Sequence, residues 1–456
     1  MSTGDAYFKE HREEHLNQLM EFLRIPSISA LSEHKPDMRK AAEWLAAEFK
    51  RIGMTRVEVM ETGGHPAVFA ERIDHPGKPV ALIYGHYDVQ PVDPLNLWET
   101  PPFEPAIRDE KLYARGASDD KGQVFMHIKV LEAILKQEGK LPFNVKAIIE
   151  GEEEVGSTNL HRFLQEHLDL LKADVVVISD TGLYARGVPS LTYGLRGLAA
   201  LEVQLSGAKG DLHSGLFGGA APNAVHGLVQ LLASLRRPDG GVAVAGFYDG
   251  VRELTQEEKE SFASLGFDEA AYKHELGVTA LPGEPGYSPI ERLWARPTLE
   301  LNGIYGGFSG EGTKTVIPCK AGAKITCRLV PDQDPKHVQQ VIAEHLKTHC
   351  PPGFTVAVTL QDSAPAAITP IDHPSIRAAM AALEEAYGKP AKFVRGGGSI
   401  PVVSTFNEVL KAPSVLMGFG LEDENFHAPN EHFNLENFDI GMRAIYSYWH
   451  KLAGVM

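Results

Sequence analysis

Residues 145–157 read VKAIIEGEEEVGS. Val145 to Ile149 are mostly apolar and branched, the composition of a buried strand. Four carboxylates follow at once, Glu150, Glu152, Glu153 and Glu154, with no Lys or Arg before Arg162. Outward from there, residues 80–84 (VALIY) and 174–178 (DVVVI) have the same strand character. Residues 121–140 (KGQVFMHIKVLEAILKQEGK) carry Val124, Ile128, Leu131 and Leu135 at helical spacing. This strand–helix–strand rhythm predicts an α/β domain with helices around a largely parallel sheet. Helical periodicity over 7–24 and 38–52 belongs to it. So do a helix at 374–387, a strand in PSVLMGF and a closing helix at 436–452.

Residues 191–369 have another texture. LTYGLRGLAALEVQLSG alternates apolar and polar residues, as a half-exposed antiparallel strand does. A helix is expected over 222–235, with Pro222 at its first position. AKITCRLV, PKHVQQVIAEHLKTHC and FTVAVTL then read as strand, helix and strand. The expectation is a catalytic domain of residues 1–190 and 370–456, split by an inserted α+β, ferredoxin-like lid at 191–369. Residues 238–300, rich in Gly, Pro and charge, read as a long irregular excursion.

The chain has 456 residues and a net charge of −16. That acidity argues against a nucleic-acid or anionic-membrane surface, which needs clustered Lys and Arg. No run of about 18 apolar residues would span a membrane. The first residues, MSTGDAYFKEHREEHL, show no apolar leader segment, and three cysteines are too few for a disulfide framework. A cytoplasmic location is expected.

Three predicted strands run straight into possible metal ligands. VALIY leads to His86 and Asp88, VKAII to the four glutamates, and DVVVI to Asp180. LYARGASDDKG offers Asp119 and Asp120 before a helix, and PSVLMGFGLEDENFHAPNE brings His427. Taken singly, an Asp after a strand is usually a cap or turn residue, and a loop His is usually only that. At the carboxyl ends of strands in one α/β sheet they converge. Carboxylates so gathered repel one another unless a cation compensates. Two His with several carboxylates suit zinc or manganese better than calcium or magnesium. In His86-x-Asp88, an extended segment puts both side chains on one face, so Asp88 reaches the second imidazole nitrogen.

YGHYDVQPVD, LYARGASDDKG, EGEEEVGS, ISDTG and FHAPNE, in that order, resemble the co-catalytic di-zinc metallopeptidases. These include aminoacylase, carboxypeptidase G, succinyl-diaminopimelate desuccinylase and the cytosolic dipeptidases. GDLHSGLFGG, GTKTVIP, CRLVP and RGGGSIP extend the likeness over nearly the whole chain and favour the non-specific dipeptidase and carnosinase branch. The resemblance implies two divalent ions, zinc with manganese as the other candidate. Asp119 would bridge them, His86 and Asp180 would complete one site, and Glu154 and His427 the other. It also implies that Asp88 orients His86, that Glu153 is the general base, and that the Asp119–Asp120 peptide is cis.

A lid histidine of the other subunit, here His213, would meet the oxyanion, and Arg328 would clamp a substrate carboxylate. Ser399, Thr315 and His373 would line the same pocket. The implied activity is hydrolysis of a small peptide, a dipeptide, by a homodimer joined through the lid. An N-acyl-amino-acid amidohydrolase of the same family is the nearest rival. A non-catalytic metal-dependent binding protein is a remoter one, and Glu153 argues against it.

Overall fold

A computed structural model describes residues 3–397 and 401–456. The chain forms two compact units, residues 1–193, 369–394 and 405–456, and residues 194–368 and 395–404. Residues 395–397 and 401–404, assigned from sequence to the first domain, cluster with the second.

The first unit is built on a mixed sheet. Its centre is parallel: Asn144–Glu150, Val80–His86, Val175–Ile178 and Ser414–Leu416 lie side by side in that order. Nearly every residue of these strands is buried, which is why they read as unbroken apolar runs. Both flanks are antiparallel. Arg56–Met60 and Ala67–Arg72 extend one side, and Ser190–Leu195 pairs with Ser414–Leu416 on the other. The sheet is therefore less parallel than the sequence suggests. Arg56–Met60 escapes a hydrophobic scan because it is an exposed edge with charges at alternate positions.

Register decides what meets at the sheet edge. His86 stands opposite Glu150, and Tyr84 opposite Ile178. The chain two residues beyond Ile178, at Asp180, thus emerges level with His86. Helix Lys121–Glu138 begins immediately after Asp119–Asp120, which is a cis peptide. Its first turn lies hard against the strand end at Gly85. A Cβ there would sit 2.4 Å from Val124 Cγ2 and 2.7 Å from Asp120 Oδ2.

The second unit has a four-stranded antiparallel sheet ordered Thr298–Gly306, Lys320–Leu329, Gly197–Ser206, Thr355–Ala364. With helices Ala224–Ala233 and Pro335–Thr348 this is the βαββαβ ferredoxin-like arrangement. Gly197–Ser206 alternates buried and half-buried residues along its length, and Leu201, Val203 and Leu205 join Leu228, Ile325, Val338 and Ile342 in the core.

Two expectations need correction. Pro222 does not open the helix: Asn223 caps it, its Oδ1 accepting from the Val225 and His226 amides at 3.0 and 3.3 Å. Nor is 238–300 irregular throughout. It holds helices Gln256–Ala263, Glu269–Leu276 and Pro289–Ala295, followed by the strand from Thr298. Thr255 with Glu258 and Ser288 with Glu291 form capping boxes. That S/T-x-x-E spacing is visible in the sequence, but the helices are too short for periodicity to show.

Candidate metal centre

The carboxyl ends of the central strands bring two acid–imidazole triplets together, His86–Asp119–Asp180 and Asp119–Glu154–His427. Asp119 is common to both. Its Oδ1 lies 3.1 Å from His86 Nε2, and its Oδ2 lies 2.8 Å from His427 Nε2. Asp180 Oδ1 is 3.8 Å from His86 Nε2, and Glu154 Oε2 is 3.3 Å from His427 Nε2. His86 is fully buried, whereas His427 is exposed on a loop at φ 58°.

Neighbours fix these groups. The backbone N–H of His86 donates to Asp120 Oδ2 at 3.2 Å. His86 Nδ1 lies 3.1 Å from the Asp88 carbonyl and 3.4 Å from Asp88 Oδ1. The group of Asp88 nearest the second imidazole nitrogen is thus its backbone carbonyl, and its carboxylate has a further task. Oδ1 and Oδ2 accept the amides of Glu153 and Glu154 at 3.3 and 3.0 Å, pinning the acidic turn beside His86. Gln90 Nε2 donates to Glu154 Oε2 at 2.7 Å, a contact the sequence does not announce. Behind the turn, Tyr84 and Ser157 hydroxyls donate to Glu150 Oε1, and Asn159 and Thr62 hold Glu152.

Burial pushes the Glu153 carboxyl up to about 7; His86 opposes the shift and Asp180, Asp119 and Asp88 add to it. Glu154 rises to about 8 by burial and the charge of Asp119. Asp180 is also raised, chiefly by burial. Asp119 goes the other way. Its burial is outweighed by hydrogen bonds from His427 and His86, which hold it below the usual carboxylate range. Such a site cannot keep all its carboxylates ionised unless more positive charge is supplied. Mixed imidazole and carboxylate donors fit divalent ions such as zinc or manganese.

The other predicted residues are placed as follows. His213, Thr315 and Arg328 belong to the second unit. His213 is exposed, and its Nδ1 accepts the Gly215 amide at 3.0 Å. Arg328 is half-buried on the Lys320–Leu329 strand. His373 caps helix Pro374–Tyr387, its Nδ1 taking the Ser375 amide at 3.3 Å. Ser399 lies outside the described residues.

A mixed α/β sheet with paired acid–imidazole triplets at its carboxyl edge is the framework of a metal-dependent peptidase. The chain belongs to peptidase family M20/M25/M40, whose model matches residues 82–451. It is 33% identical to the Cys-Gly metallodipeptidase dug1 of Schizosaccharomyces pombe, over 100% of this chain and 99% of the relative. Human carnosine dipeptidase 1 superposes with a TM-score of 0.79 at 31% identity, covering 99% of this chain and 98% of the other. The M20 metallo-carboxypeptidase Sso-CP2 of Sulfolobus solfataricus gives 0.83 at 33%, over 97% and 100%. Among the described residues no helix is long and apolar enough to cross a membrane, and Cys319, Cys327 and Cys350 are free.

Proposed function

We propose that this protein is a cytoplasmic, metal-dependent dipeptidase. The observation that carries the reading is the shared carboxylate of Asp119, set between His86 and His427 with the raised-pKa Glu153 beside it. His86, Asp119 and Asp180 would hold one divalent ion, and Asp119, Glu154 and His427 a second, with zinc the first candidate and manganese the other. Ions held there supply Lewis acidity to the scissile carbonyl and acidify water. Glu153 takes a proton from the attacking water and returns it to the departing amine, a task for which a pKa near 7 is suited. Asp88 keeps His86 oriented and holds the Glu153–Glu154 turn.

His213 is the proposed oxyanion donor. Because its Nδ1 accepts a backbone hydrogen, the neutral ring carries its own hydrogen on Nε2. Arg328 is the proposed clamp for the substrate carboxylate, with Thr315, Ser399 and His373 as further pocket residues. The second unit is read as the lid and as the surface of a homodimer. The dipeptidase names of two similar proteins support a dipeptide substrate, and the carboxypeptidase Sso-CP2 favours a second reading in which longer peptides enter.

The test is metal-stripped protein, reloaded with zinc or manganese and given three matched substrates: a free dipeptide, its N-acyl analogue and a tetrapeptide with the same C-terminal residue. Metal-dependent cleavage of the dipeptide alone is expected. Release of the C-terminal residue from the tetrapeptide makes it a carboxypeptidase, cleavage of the acyl compound alone an amidohydrolase, and cleavage of none overturns the reading.

A further inference from the structure

Glu431, four residues after His427, is a carboxylate to which the proposed chemistry gives no role. It is fully buried. Oε1 accepts the amides of Ser118 and Asp119, each at 3.1 Å. Oε2 accepts the Gly116 amide at 3.0 Å and Arg115 Nη1 at 2.8 Å. One side chain thus takes three backbone hydrogens from the loop that presents Asp119, and Arg115 balances its charge. These amides lie in an irregular buried loop, and without Glu431 they would be left unsatisfied. Arg115 is itself buried and donates Nη2 to the Pro91 carbonyl at 3.0 Å. Glu424 grips the same loop from the other side of His427. It is fully buried, and its Oε2 accepts the Ser118 hydroxyl at 2.5 Å and the Leu421 amide at 3.0 Å. Its Oε1 accepts the Asn434 amide at 2.8 Å.

The segment from Glu424 to Glu431 therefore does two things. It carries His427, and by carboxylates on either side of that residue it holds the loop that carries Asp119. We propose that Glu431, assisted by Glu424, is a positioning residue that fixes the spacing between Asp119 and His427. This rests on the two-ion reading above. The Asp119–Glu154–His427 group has two of its three members set by this clasp. The other group takes His86 and Asp180 from strand ends held in register by the sheet. Loosening the clasp consequently harms the two groups unequally.

The test is Co2+ titration of the metal-stripped full chain, followed by visible absorption and calorimetry, on wild type, Glu431→Gln, Ser118→Ala and Glu48→Gln. An amide keeps the size of Glu431 but turns a donor toward amides that need an acceptor. Wild type is expected to bind two ions. Glu431→Gln should weaken one of them about 10–100-fold, the range for lost support behind a ligand, and leave the other within a few-fold. Ser118→Ala, which removes only the Glu424 grip, should weaken the same ion by less. Should Glu431→Gln not fold, Ser118→Ala decides alone. Glu48→Gln disturbs another buried carboxylate, outside the clasp; it should lower the melting temperature and leave both affinities unchanged. Two ions bound by the Glu431 variant as in wild type, or both weakened alike, would overturn the proposal. Failure of the wild type to bind two ions would instead remove the two-ion reading, and the proposal with it.

Discussion

Two pairs of glutamates withdrawn from solvent to different degrees lie in the same unit, and their surroundings treat them in opposite ways. Glu48 and Glu132 share Arg51, whose Nη2 is 2.7 Å from each, and the buried Lys129. Burial alone would raise the Glu132 carboxyl, but Arg51 and Lys129 overcome it and carry it down to about 2. Glu153 and Glu154 are half-buried beside Asp88, Asp119 and Asp180, with no Lys or Arg in ion-pair contact among the described residues, and they rise to about 7 and 8. A fold that only needed stability would answer its buried carboxylates as it answers the first pair. Leaving the second pair short of positive charge is the mark of a site that acquires a cation and uses a base.

The largest expected break in this comparison comes from Glu153→Gln. It should lower kcat by about 10²–10⁴, the usual contribution of a positioned acid–base group, with metal content unchanged. Steady-state kinetics on the loaded enzyme checks this, and full activity in the variant ends the assignment of Glu153 as base. Removal of divalent ions by chelation should come next. At free metal about 1,000 times Kd, loading stabilises the fold by about 4 kcal/mol, so thermal unfolding should shift down on stripping and recover on reloading. An unchanged transition would mean that no ion is held by these carboxylates.

The first pair should break differently. Lys129→Met leaves Glu48 and Glu132 with Arg51 alone, and removing one partner of a buried ion network costs about 3 kcal/mol. Urea unfolding should show that loss while Co2+ affinity stays that of wild type; a matching fall in metal affinity would show that the two pairs are coupled. The smallest effect is in pH. Glu132 has a folded pKa of about 2 against an ordinary value of 4.5. It therefore contributes stability above about pH 4.5 that is lost as pH falls through about 2, at a slope of no more than about 1.4 kcal/mol per pH unit. Glu132→Gln should flatten the acid limb of a stability profile by that amount, and identical slopes would contradict the pairing.

Much of the site is legible because it sits at strand ends. Apolar runs of 80–84, 145–149 and 174–178 identify the strands, and in a parallel sheet whatever follows such runs arrives at one edge. Register then places His86, Glu150 and Asp180 level without further information. The capped helices of 238–300 are hidden for the opposite reason. They are short, of no more than eight residues, so periodicity has no room to show and their Thr255, Asp268 and Ser288 caps are the clearer signal. Glu431 stands in the quoted FHAPNE, yet nothing local distinguishes its carboxylate from that of an exposed turn.

By itself, the sequence determined the α/β framework and the ferredoxin-like unit, through patterns confined to a few neighbouring residues, and its ordered motifs carried the resemblance to the peptidase family that singles out His86, Asp119, Glu154, Asp180 and His427 as proposed ligands. Only the tertiary structure decided that Asp119 faces both imidazoles, that Asp88 pins the Glu153–Glu154 turn, and that Glu431 holds the loop of Asp119 from 312 positions along the chain. A hydrogen bond depends on distances of a few tenths of an ångström between groups that chain order leaves far apart, and packing alone sets them.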